Sequence, residues 1–78
     1  MRTRSPRVVV TFHTTAEAMR AEQVCKVNNL AGKLISAPRS LSADCGIAWS
    51  APLDVRDALA AALAAALVET AGFHELEV

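Results

Sequence analysis

Nothing in this sequence is built to cross a membrane. Its one long apolar stretch, Ala58 to Val68, falls short of the roughly 20 residues a spanning helix needs, and Asp54, Arg56, Asp57 and Glu69 bracket it. An export signal is not indicated either, because Val8-Val9-Val10 is interrupted by Thr11 and His13 before an apolar centre can form. Net charge is also missing: eight basic residues balance eight acidic ones. That removes the strong positive field on which phosphate-backbone binding depends, so nucleic acid is not the expected partner. Cysteines are few, Cys25 and Cys45, and without an export signal they point to a reactive or buried thiol in a reducing, cytoplasmic setting rather than to a disulfide framework. No Gly-rich phosphate loop, paired carboxylate dyad, Ser/His/Asp set, CxxC or HxxxH pair occurs, so no enzyme class, cofactor or metal is indicated.

What is present suits one small core. The 78 residues are 53% hydrophobic, enough for one domain and too few for two. A chain of this size buries only about 60% of its unfolded surface, which makes a homodimer a reasonable expectation from size alone. Arg2, Arg4 and Arg7 crowd the start beside Ser5 and Pro6, so residues 1–6 read as a flexible basic arm and residues 7–78 as the domain.

The β-branched run Arg7 to Phe12 reads as a strand that stops at His13-Thr14-Thr15. Thr14 and Glu17 have the spacing of a capping box, which opens a helix running to about Asn28. Ala18, Ala21, Val24, Cys25 and Asn28 recur at three and four residues and define a stripe facing the sheet. Lys33 to Ala37 and Ile47 to Ala51 read as strands around a polar loop, Pro38 to Gly46. Asp54 and Asp57 are candidate caps for a second helix, in which Val55, Leu59, Leu63 and Leu67 form a seam that Gly72 ends. Phe73 to Val78 suits a half-buried edge strand. The order βαββαβ predicts an α+β, ferredoxin-like two-layer sandwich: both helices on one face of an antiparallel sheet ordered 4-1-3-2. The start of helix one, the Pro38 to Gly46 loop and the start of strand four then meet at one edge.

Cys45 stands in that loop among hydroxyls and backbone N–H groups, next to Gly46. Arg39 and the N-terminus of helix one favour its thiolate, and Asp44 opposes it. Two readings stand: a reactive thiol in an anion-receptive loop, or a small residue before the glycine of a hairpin. Cys25 reads as core packing, and a helix rise of 1.5 Å per residue puts it about 15 Å from the edge, too far for a disulfide to Cys45. His13 and His74 are placed near the same edge, where they read as exposed residues able to tune a neighbouring thiol. Trp49 alternates with Ile47 and Ala51 and faces either the helices or the open side of the sheet.

Taken together, Val9-Val10-Thr11-Phe12-His13-Thr14-Thr15, the segment Ala18 to Cys25, and the loop Pro38-Arg39-Ser40-Leu41-Ser42-Ala43-Asp44-Cys45-Gly46 resemble the selenium/sulfur carrier protein-like family of small bacterial proteins. The resemblance spans about Val8 to Val78, and its most specific part is Pro38, Arg39, Ser42, Cys45 and Gly46. It implies a non-catalytic carrier that holds a persulfide or selenosulfide on Cys45, with Arg39 as electrostatic partner, between a donor and an acceptor protein. Cys25 also matches a helical cysteine of relatives, which makes it a secondary candidate, beside His13 for its place near the edge. The competing expectation is a small-ligand or protein-interaction module using the same loop without a covalent step.

Overall fold

Valine runs stiff at χ1 alternate here with alanine-rich segments of low side-chain entropy, and the chain folds accordingly. The computed structural model describes residues 6–38, 41 and 46–77. The elements run β1 (Pro6–Thr11), α1 (Thr15–Val27), β2 (Lys33–Ser36), β3 (Ile47–Pro52), one 3₁₀ turn (Leu53–Val55), α2 (Arg56–Ala65) and β4 (Gly72–Glu77). All strand pairs are antiparallel, in the order β2-β3-β1-β4, which counted from the other edge is 4-1-3-2. Strand β1 begins at Pro6, one residue before the expected boundary between arm and domain.

One face of the sheet carries the core. Val8 and Val10 of β1 and Trp49 and Ala51 of β3 join Ala18, Ala21 and Cys25 of α1 and Leu59 and Leu63 of α2 in one buried cluster. Both helices therefore cover the same face. Trp49 belongs to this core, its indole over Gly32 at the entry to β2. Alternation sends Arg7, Val9 and Thr11, with their partners Ser50, Ala48, Lys33 and His74, to the other face. Ser50 is buried there beneath Arg7, whose Nε donates to Ser50 Oγ at 2.7 Å.

Helix termini depart from the expected pattern. Thr14 Oγ1 accepts from Glu17 N at 3.2 Å, but Glu17 does not complete the capping box; its Oε2 accepts from Glu69 N at 2.8 Å and ties α1 to the segment after α2. Neither Asp54 nor Asp57 caps α2, because the 3₁₀ turn that follows Pro52 leads straight into it; Asp54 lies inside that turn and Asp57 in the first turn of the helix. Asn28 is not part of the buried stripe but caps α1.

Helix α2 ends at Ala65, well before Gly72, which opens β4 instead. Val68 N donates to Leu63 O at 3.0 Å and Leu67 N to Ala64 O at 3.1 Å, a Schellman closure with Leu67 at φ 59°. That left-handed turn swings Leu67 out of the seam to 82% exposure, and Val68 takes the buried position. A leucine gains little there and carries a conformational penalty that glycine escapes. Leu67→Gly is expected to stabilise the fold by about 1 kcal/mol, seen as a rise of roughly 4–8 °C in a thermal melt. An unchanged or lowered melting temperature would show that Leu67 makes a contact it needs.

Candidate functional site

The register fixes which ends of the elements meet. The last pairs at one end of the sheet are Thr11 with Ala48, Thr11 with Gly72, and Ser36 with Ile47. At that end β1 and β2 finish, β3 and β4 begin, and α1 starts. Ala71 N donates to Thr11 O at 2.7 Å and Ala37 N to Gly46 O at 3.0 Å, so both connections are pinned to the sheet. The starts of α1 and β4 and the two ends of the loop, Ala37 and Gly46, thus meet at this edge as expected, while loop residues 39, 40 and 42–45 lie outside the described residues.

Of the site residues read from the sequence, Arg39, Ser42 and Cys45 lie outside the described residues. Gly46, to which Cys45 is joined, sits at the head of β3 with φ 75° and is exposed. A Cβ at Gly46 would meet no atom within 4 Å, so glycine is needed there for its backbone angle and not for space. Pro38 O accepts from Leu41 N at 3.0 Å, which turns the chain on the other side of the loop. Thr14 Oγ1 takes the Glu17 N–H and Thr14 O the Ala18 N–H, which leaves the N–H groups of Thr15 and Ala16 without an intrahelical acceptor, and the positive end of the helix dipole faces this edge. An anion at the edge is favoured by both.

His13 is exposed at the turn between β1 and α1, and like Gly46 it lies two residues past the Thr11 to Ala48 pair. The chain brings these two to the same end. His74 pairs with Val9 two residues into β4, on the face away from the helices, and its imidazole reaches back over Gly72 at the same end, Nε2 standing 3.1 Å from a Cβ built there. Sequence reasoning missed the long-range ties of this end: Glu17 to Glu69, and Arg20, whose Nη2 donates to Ala66 O at 2.9 Å. Their partners lie 52 and 46 residues away, and no local pattern announces them.

Cys25 is at the far end of α1, fully buried in the core, and its thiol is free. Burial pushes that thiol up from 9.0 to about 11. It stays protonated at neutral pH and inert. Because the folded value lies above the unfolded one, the contribution of the buried thiol is complete below pH 9 and is lost as pH rises toward 11. Denaturation midpoints are therefore expected to fall across that window, and Cys25 to resist alkylation at neutral pH until the chain unfolds. Native labelling of Cys25 at the rate of a free thiol would contradict its burial.

A protein-family model described as "Putative Se/S carrier protein-like" matches residues 7–75. No curated protein and no solved structure matches the chain.

Proposed function

The chain belongs to the Se/S carrier protein-like family, and from that premise we propose that it is a chalcogen carrier, with Cys45 as the thiol that holds the cargo. The β-α-β-β-α-β arrangement is read as ferredoxin-like, with the loop at the edge where α1 starts. The observation that carries the proposal is the family match across nearly the whole domain, together with Gly46 at the head of β3 on that edge. The dipole of α1 and the guanidinium of Arg39 favour a thiolate at Cys45, and Asp44 moderates it. Ser42 supplies a hydroxyl to the same anion, and Gly46 its left-handed turn. His13 is a secondary tuning group. Cys25, buried and protonated, is a core residue and no second carrier.

The exchange needs no cofactor. The Cys45 thiolate attacks the outer sulfur or selenium of a donor persulfide or selenosulfide; the new Sγ to chalcogen bond forms as the donor's own bond to that atom breaks, and the donor leaves as thiolate. Delivery is the reverse: an acceptor nucleophile takes the outer atom and Cys45 leaves as thiolate. Net oxidation state is conserved at each transfer. The chain turns nothing over by itself, so it is a carrier and not an enzyme, and a reducing compartment keeps Cys45 ready between cycles. Incubation with glutathione persulfide followed by peptide mapping is the test. The adduct is expected on the peptide containing Cys45; an adduct confined to Cys25, or none, would overturn the proposal.

A further inference from the structure

We infer that β2 is the dimer edge of this chain: two copies pair β2 with β2, antiparallel about a two-fold axis at Ile35, and each sets its Lys33 at the foot of the other's carrier loop. The register tells which backbone groups are free to do this. Ala37 N donates to Gly46 O, one step beyond the pair of Ser36 with Ile47. Inward and outward residues alternate along an antiparallel ladder, so Lys33, Ile35 and Ala37 turn their backbone groups to β3, and Leu34 and Ser36 turn theirs outward. β2 ends the sheet, with no strand on its outer side among the described residues, and Lys33 and Ser36 are exposed. With Ile35 on the axis, Leu34 of one copy faces Ser36 of the other, and each outward N–H meets an outward C=O. Lys33, the one charge of the strand, falls opposite Ala37 and not opposite itself. The other edge, β4, holds Glu75 and Glu77, carboxylates of the kind that discourage edge pairing.

The helical layer marks the same edge. α1 packs over β2 and β3, so its flank away from α2 overhangs β2. Arg20 bonds Ala66 O, and Val24 and Val27 line the groove against Ala62 and Ala65, which fixes the α2 side of the helix. At 3.6 residues per turn, Met19, Glu22 and Lys26 lie on the opposite flank. Met19 is 52% exposed, a large apolar side chain left open in a single copy. Because α1 starts where β2 finishes and runs back along it, Met19, about 6 Å from the helix start, is level with the end of β2. Joining β2 strands about 4.8 Å apart brings the two α1 helices to about the 8–10 Å of packed helices, with Met19 of each copy beside the axis. A small chain gains from such pairing the apolar burial its own core is too small to supply. Lys33 of the second copy, opposite Ala37, then stands by the Gly46 end of the loop, where a cation favours a thiolate at Cys45. Only this last consequence rests on the carrier reading.

The test is the solution mass of the full chain by sedimentation across a dilution series, in reductant so that no disulfide joins the copies. The expected mass is twice the 8.2 kDa of one chain and falls toward that value on dilution. Ser36→Pro removes an outward N–H and no bond to β3, and Met19→Glu sets carboxylate against carboxylate at the axis. Each is expected to weaken the dimer about tenfold or more, and Val27→Glu, on the α2 side, to leave it unchanged. A monomer at every concentration, or a dimer broken by Val27→Glu and not by Met19→Glu, would overturn the inference. Loading by glutathione persulfide is read separately on Lys33→Gln. The dimer is expected to persist while loading at neutral pH slows about threefold and its pH profile moves upward, as thiolate is lost. Loading at the parent's rate overturns the role of Lys33 and leaves the interface standing; no loading in the parent dimer overturns the carrier reading and leaves the interface standing.

Discussion

Alanine at position 32 is expected to cost the domain about 3 kcal/mol or more, one of the largest losses any single methyl group would cause in this chain. A Cβ built on Gly32 stands 2.6 Å from Trp49 Nε1, 2.7 Å from Trp49 Cε2 and 2.8 Å from the backbone oxygen of Ser50, and φ is 143°. The crowding is against a buried ring and main chain, neither of which moves cheaply. Small domains hold about 5 kcal/mol in reserve, so Gly32→Ala removes most of the margin. The emission of Trp49, the single tryptophan, reports the unfolding directly. Gly46→Ala is the control: with φ 75° and open space around it, the cost is backbone strain alone, about 1 kcal/mol. A Gly32→Ala variant that melts with the parent would mean that the indole does not lie over β2.

Replacement of Cys45 by serine is expected to abolish chalcogen loading completely while the melting curve stays within about 0.5 kcal/mol of the parent, as for a residue that the sequence places in a polar loop. The hydroxyl has no accessible anion and forms no persulfide, so residual loading has nowhere to form. Cys25→Ala is expected to do the opposite, leaving loading intact and lowering stability, because a buried side chain in the core cluster is truncated. Arg39→Ala should slow loading by raising the Cys45 pKa, an effect that added salt partly imitates by screening. Loading that survives Cys45→Ser would move the function to Cys25 or to a site without covalent chemistry.

Much of the architecture was legible because local preference and global packing agree. The valines of β1, the alternation around Trp49 and the spacing of Leu59 and Leu63 each have a period that admits one element, and the order of elements limits the topology. Leu67 shows where that logic ends. It continues the four-residue period of the seam, yet the chain leaves the helix two residues earlier by a left-handed turn at a residue type that gives no sign of it. The Asp54 and Asp57 caps were misread for a related reason: a 3₁₀ turn satisfies the helix start from the backbone, and no side-chain signature marks it. Glu17 has the capping-box spacing but finds a better donor in Glu69, a contact made only once the chain has folded.

The site was less legible than the fold. Gly46 was placed correctly at the edge where α1 starts by topology, and Cys25 in the core by its helical stripe, because both are consequences of packing. His74 was also placed near that edge, and its imidazole packs over Gly72 there; alternation turns it to the face away from the helices. For Cys45, Arg39 and Ser42, residue chemistry allows either a reactive thiol or a hairpin cysteine, and only the family resemblance favours the first.

The most direct measurement is the intact mass of the chain purified without reductant, recorded before and after treatment with dithiothreitol. The carrier account predicts a population heavier by one sulfur or one selenium atom, with the extra atom mapped to Cys45 and lost on reduction. A mass equal to that of the bare sequence in both samples, with no gain after exposure to glutathione persulfide, would contradict it.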